Sequence, residues 1–317
     1  MLTNREFHYK DILLLPRMST VSSRTEVDVS CELGDGKFKL PVIPANMKTV
    51  VDESLATWLA TNGYFYVMHR FGVNVSSFAA RMRGHGLFVS VSVGVNKDSM
   101  EVVEELEDGG IVPEYVTIDI AHGHCSKMKT MLEHMKKHLP ASFVIAGNVC
   151  TTEGAQALAE WGANAVKVGV GPGSVCHTKL KTGFSRPQFT AVMECSSAVA
   201  IPVIADGGVV ENGDVAKALV AGARMVMVGR LLAGFEESPG RKIIHEDGRI
   251  TKEYFGSASE NNKGVKEYVE GCRVEIPYRG SIADKLLDME HSLRSGVSYA
   301  GGTDLNAFAG VKWVISE

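Results

Sequence analysis

"FVIAGNVCTTEGAQALAEWGANAVKVGVGPG", Phe143 to Gly173, is the stretch on which the fold turns. It opens on a short apolar run with β-branched residues. It then passes into "TEGAQALAEWGA", whose apolar residues recur at helical spacing, and returns to the apolar run "AVKVGVGPG". Strand, helix and strand joined this way make a parallel βαβ unit. The same alternation extends to both sides. Before it come "FKLPVIPA" from Phe38, "YFYVMH" from Tyr64, "LFVSVSVGV" from Leu87 and "YVTIDIAHG" from Tyr115. After it come "IPVIADGG" from Ile201 and "MVMVGR" from Met225, which brings the count to eight strands.

"DESLATWLATNG", "SKMKTMLEHMKKHLP" and "NGDVAKALVAGA" read as helices between them, the last with an asparagine placed to cap it. Eight strands alternating with helices favour a closed (β/α)8 TIM barrel over a doubly wound open sheet. The length of 317 residues suits one such barrel, 1–317 as a single domain. Several strands end in glycine or a polar residue: Asn46, His69, Asp119, Gly147–Asn148, Gly169–Gly173, Asp206–Gly208 and Gly229–Arg230. In a barrel these ends meet on one face, where sites form. From about Glu236 to Gly280 the chain is charged and punctuated by glycine, which predicts a partly mobile segment over that face. "SIADKLLDMEHSLRSGVSYAGG" then reads as a final amphipathic helix and turn.

Composition narrows the function. Hydrophobic residues make up 45% and charged residues 22%, enough to bury a large core. The formal net charge of −4 offers no broad basic field for nucleic acid. No apolar run reaches membrane-spanning length, and Ile12–Leu15 is too short for a signal peptide. The expected location is the cytoplasm. The six cysteines show no CxxC pair, so reduced thiols are expected.

Two features point to chemistry. The loops after the seventh and eighth strands hold a phosphate in many barrels. Here they carry Gly207, Gly208 and Gly229, which let backbone N–H groups approach phosphate oxygens, with Arg230 for charge. Asp206 could accept from two ribose hydroxyls. These glycines could instead merely turn the chain. The second feature is "GPGSVCHTKLKTGF", Gly171 to Phe184, just past the sixth strand. A loop nucleophile needs backbone that bends, access, and a way to favour thiolate. Gly171, Gly173 and Ser174 supply the bend for Cys176, and Thr178 places a hydroxyl beside it. Backbone carbonyls there, at Gly171, Gly173 and Cys176, can also hold a monovalent cation such as K+. The bland reading is an inert cysteine; the other five cysteines read that way. A rival site is "DIAHGHC", where His122, His124 and Cys125, with His69, could hold zinc.

In order along the chain, "PANMKTV", "YVMHRF", "GPGSVCHTKLKTG", "IADGG", "MVGRLLAGFEESPG", "EYFGSASE" and "SYAGGTDL" resemble the IMP dehydrogenase/GMP reductase family, from about Phe7 to the C-terminus. Two absences, with "VEGCRVEIPYRG", align it with the family's short bacterial reductases. About sixteen residues separate "MHRF" from "LFVSVSV", too few for the regulatory CBS insert of the dehydrogenases. Asn261 to Tyr268 holds no Arg-Tyr pair of the kind their flap uses to activate water.

The resemblance implies a reductive deamination, GMP and NADPH giving IMP, ammonia and NADP+. It makes Cys176 the nucleophile, and Thr178 with Glu270 the proton relay. It places Met47, Gly256, Ser257 and Ser259 along the base. Asp206 falls at the ribose, and Ser174, Gly207, Gly208, Gly229 and Arg230 at the phosphate. Arg70, Asp119 and His122 would lie on the nicotinamide side, and the assembly would be a homotetramer. A dehydrogenase without its CBS domain, or an inactive nucleotide sensor, are the alternatives. His177 and Glu267 depart from the family pattern; the second leaves the base contacts open.

Overall fold

The computed structural model describes residues 5–316 except 261–269. Seven parallel strands hydrogen-bond into one curled sheet. Val42–Pro44 lies beside Met225–Val228, followed by Val203–Asp206, Ala165–Val168, Phe143–Val149, Tyr115–Asp119 and Ser90–Val93. Each strand is short and apolar because it is covered on both faces, as parallel strands must be.

The eighth strand is less regular than its sequence predicts. Tyr64–His69 forms a single bridge, Met68 to Val91, and does not hydrogen-bond to Val42–Pro44. Side chains close the ring there. Phe65 and Val67 pack inside the barrel with Ile43, Ala45, Ile145, Ala165, Ile204 and Met227. The result is a (β/α)8 barrel. Its helices run Glu53–Thr61, Val75–Gly84, Lys97–Asp108, Ser126–His138, Thr152–Glu160, Gln188–Ala198, Asn212–Val220 and Ile282–Tyr299. Their apolar faces form a second buried layer outside the strands, with Leu55, Phe78, Leu106, Met131, Leu158, Phe189, Val215 and Leu286 among its members.

The bottom of the barrel is plugged, so the site can only open at the top. A hairpin, Cys31–Leu33 with Gly36–Phe38, folds under the strands. Phe38, Phe65 and Tyr115 pack edge to face, with centroids 4.8 Å apart for Phe38–Phe65 and for Phe65–Tyr115. The Tyr115 hydroxyl donates to the Leu33 carbonyl at 2.7 Å.

One expectation is corrected. Asn212 does not cap its helix; it is the first helical residue. Glu211 is the cap, and the Asp214 carboxylate accepts its N–H at 3.2 Å. Asn212 instead donates to Asp288 and to Ser292, both at 2.8 Å, and so ties this helix to the C-terminal one. The segment after the last barrel strand lies over the strand ends as expected, and its described residues include regular structure. Lys242–Ile244, Ile250–Phe255 and Arg273–Pro277 form an antiparallel sheet over the strand ends. Its outer positions are charged and its inner ones, such as Tyr254 and Ile276, are buried against Val50, Val175 and Ala233.

Candidate active site

A cavity of about 930 Å³ opens at the C-terminal ends of the strands. At its floor Lys167 projects from the sixth strand and is 2% exposed. A buried ammonium is tolerable only when paired. Its Nζ lies 2.7 Å from Asp119 of the fourth strand and also pairs with Asp206 of the seventh. It reaches both because the fifth strand between carries Gly147, where a Cβ would sit 2.7 Å from that of Lys167. Burial alone would lower the Lys167 pKa; the two carboxylates reverse this and raise it. Burial would likewise raise Asp119, but Lys167, Asn46 and Arg70 hold it below the ordinary carboxylate value.

The two aspartates are oriented differently. Asp119 accepts from Lys167 on Oδ1 and from Asn46 Nδ2 at 2.9 Å on Oδ2, so both its oxygens are engaged. Asp206 takes Lys167 and Asn148 Nδ2, the latter at 2.9 Å, on Oδ2 alone. Its Oδ1 has no partner among the described residues. Asn148 Oδ1 is buried without a hydrogen-bond partner, and both residues line the cavity. Two acceptors therefore wait where the ribose was expected. Arg70 donates to the Asp119 carbonyl at 3.1 Å, while its Nε is buried and unpartnered.

At the far side, Gly207, Gly208, Gly229 and Arg230 line the cavity as expected. Gly207 and Gly208 have φ of +87° and +80°, the left-handed region that favours glycine. A Cβ on Gly229 would lie 2.5 Å from the Tyr254 hydroxyl. Tyr254 also contacts Ser174, and burial pushes its phenol up to about 12. Arg279 joins Arg230 here. Neither pairs with a carboxylate among the described residues, and burial and then the charge of Arg230 lower the Arg279 pKa. Two cations facing one cavity without a counterion make an anion subsite.

The thiol loop is pinned rather than loose. Cys176 N–H donates to the Gly173 carbonyl at 3.1 Å. Cys176 also bridges Gly271 antiparallel, with His177 N–H to the Glu270 carbonyl at 2.6 Å and Cys272 N–H to the Val175 carbonyl at 3.0 Å. On its other side Glu270 N–H donates to the Ala258 carbonyl at 3.0 Å. This small ladder brings Glu270 to the thiol. Cys176 Sγ is 3.2 Å from Thr178 Oγ1, which donates to Glu270 Oε2 at 2.6 Å. Threonine has one hydroxyl proton, and Glu270 receives it, so Oγ1 accepts from the thiol. The chain Cys176, Thr178, Glu270 is a proton path from sulfur to carboxylate.

Met47, Ser174, Gly256 and Ser257 also line the cavity. Ser259 does not; it is 1% exposed and lies against Gly271, behind the wall. His122 is exposed and outside the lining. Glu267 and the stretch 261–268 lie outside the described residues. The zinc alternative finds no geometry: among the described residues His69, His122, His124 and Cys125 do not converge. His69 is buried and neutral, its Nδ1 accepting from Phe71 N–H at 3.2 Å. Burial pushes the thiols of Cys31 and Cys195 up to about 11 and 12, as inert core cysteines require.

The sequence reading missed Lys167, Tyr254 and Arg279, and it marked Asn46 and Asn148 only as polar strand ends without a role. One signal was available for the first: a lysine at the centre of "AVKVGV" must be buried and so must have acidic partners.

Two cations, two unpartnered acceptors and a thiol hydrogen-bonded through a hydroxyl to a carboxylate thus meet in one cavity at the mouth of a (β/α)8 barrel. Residues 6–315 match the family model "IMP dehydrogenase / GMP reductase domain". The chain belongs to that family. It is 54% identical over 312 residues to the GMP reductase of Bacillus subtilis (strain 168), covering 98% of this chain and 95% of that protein. It is 51% identical over 310 residues to the GMP reductase of Albidiferax ferrireducens, covering 97% and 95%. The GMP reductase of Bacillus cereus (strain ZK / E33L) is 52% identical over 312 residues, covering 98% and 95%.

Proposed function

We propose that the protein is an NADPH-dependent GMP reductase, an enzyme of purine interconversion acting through a covalent Cys176 intermediate. The hydrogen-bonded chain from Cys176 through Thr178 to Glu270 carries this reading. The thiol proton passes along Thr178 to Glu270, and the thiolate adds to C2 of the purine. The 2-amino group takes that proton back through the same pair and leaves as ammonia. The remaining C2–S thioimidate loses its sulfur bond when hydride reaches C2, giving IMP and regenerating the thiolate. NADPH, when bound, supplies that hydride.

Asp206 Oδ1 and Asn148 Oδ1 would take ribose hydroxyls. The backbone at Gly207, Gly208 and Gly229, with Arg230, Arg279, Ser174 and Tyr254, would take the phosphate. Met47 and the backbone of Gly256, Ser257 and Ala258 would flank the base, with Ser259 supporting them from behind the wall. Asp119, Arg70 and His122 would face the nicotinamide, and the unpartnered Arg70 Nε fits an added acceptor there. A monovalent cation such as K+ on the carbonyls of Gly171, Gly173 and Cys176 belongs to the same proposal. The Gly173 carbonyl already accepts the Cys176 N–H, so a cation would share it, and no step depends on one. We read 1–317 as one catalytic domain without a CBS insert, acting as a cytoplasmic homotetramer.

The test is nicotinamide absorbance on mixing the protein with GMP and NADPH, with IMP and NAD+ as the paired control. Loss of NADPH with release of IMP and ammonia supports the reductase. Formation of NADH from IMP supports a dehydrogenase, and silence in both mixtures a sensor.

A further inference from the structure

Away from the cavity, one side-chain cluster serves no part of the proposed reaction. The helices Lys97–Asp108 and Ser126–His138 pack side by side on the outside of the barrel. His134 and His138 stand four residues apart, so they share one helix face. Their rings lie 4.2 Å apart between centroids, and both side chains are mostly covered. The facing helix presents Glu104 and Glu107, three residues apart and also on one face. His134 Nε2 is 3.6 Å from Glu104 Oε1, and His138 Nδ1 is 2.6 Å from Glu107 Oε2. One ligand atom each from Glu104, His134 and His138 lie within 4.8 Å of one another.

We propose that Glu104, His134 and His138 form a surface site for a divalent cation of the zinc class, with Glu107 as a fourth donor. Tetrahedral donors at zinc bond lengths stand about 3.4 Å apart. The observed spacing of up to 4.8 Å closes to that by rotation of the two imidazoles together with the half-exposed carboxylates. Two imidazoles with carboxylates suit Zn²⁺, whereas Mg²⁺ and Ca²⁺ favour all-oxygen sets. The metal would replace the His138–Glu107 hydrogen bond and the 3.3 Å contact of His134 with the Met100 carbonyl. It would cross-link the third and fourth helices of the barrel. His138 ends its helix at the bottom of the barrel, opposite the mouth that holds Cys176, so the metal would act on stability and not on turnover.

Zinc binding is measured by calorimetry with ZnCl₂ in a Cys176→Ser background, which removes the cavity thiol as a competing ligand. The expected result is one tight site per chain that disappears in His134→Gln/His138→Gln. The exposed pair Glu104→Gln/Glu107→Gln keeps the helix packing and weakens the site by about tenfold or more. Saturating Zn²⁺ raises the melting temperature of the background protein by a few degrees, and the same Mg²⁺ concentration does not. Equal zinc stoichiometry and affinity in all three proteins overturns the proposal, as does an equal shift with Mg²⁺.

Discussion

Thr178 does two jobs with one hydroxyl: it accepts from Cys176 and donates to Glu270. Removing the middle of that path or its carboxylate end strands the proton without touching the proposed ribose and phosphate contacts. Thr178→Val and Glu270→Gln are each expected to lower kcat by about 10²-fold or more, with the dissociation constant for GMP nearly unchanged. Steady-state rates and equilibrium binding check both halves. Cys176 and Thr178 were legible from their glycine-rich loop. Glu270 was not, because 92 residues separate it from Thr178 and the ladder joining them is built from backbone groups without sequence signature. Only the family resemblance picked it out.

A second residue sets a pH response. Burial first, then Lys48, lowers the pKa of His69 from its ordinary 6.5 to about 4. The unfolded chain takes up a proton below 6.5; the folded chain does so only near 4. The stability that neutral His69 contributes is therefore complete above pH 6.5 and is lost as pH falls from 6.5 through 4, up to roughly 3 kcal/mol. His69→Gln flattens that part of the melting temperature–pH curve. A slope identical to that of the parent contradicts the assignment.

At the scale of elements, strands and helices were legible wherever apolar periodicity is set by two-sided burial. The second barrel strand departs because only Met68 bridges its neighbour and packing by Phe65 and Val67 substitutes for hydrogen bonds. The antiparallel sheet over the mouth was hidden because one face of it is solvated and charged, which reads as loop. That sheet matters to the site through Tyr254, whose hydroxyl occupies the space a side chain on Gly229 would need. Gly229→Ala must displace the Tyr254 hydroxyl from the end of the cavity proposed to take the phosphate. The expected effect is a rise in KM for GMP of about tenfold against a small loss of stability. An unchanged KM would show that Tyr254 has no part in phosphate binding.

Across the whole molecule, the two ends of the chain meet. Ile12–Leu14 pairs antiparallel with Trp313–Ile315. Trp313 packs edge-on against Phe7 at 5.6 Å and Phe189 at 5.2 Å. This closes the outer layer beside the sixth helix, whose N-terminal end follows the thiol loop. Trp313 is only partly buried, so Trp313→Ala is expected to cost less than the about 3–5 kcal/mol of a fully buried aromatic, near 2 kcal/mol. Urea denaturation measures it, and an unchanged midpoint would mean that the ends pair without stabilising the barrel. Head-to-tail pairing had no signal in the sequence, since both strands are three residues long.

The central claim is that Cys176 forms a covalent bond to purine C2. By reversibility, IMP and NADP+ without ammonia should carry the protein to the thioimidate and stop, because no amine is present to complete the reverse reaction. Acid quenching and peptide mass analysis read the result directly. The account predicts a nucleotide on the peptide that contains Cys176, with one equivalent of NADPH formed per site. No adduct, or an adduct on another cysteine, contradicts it.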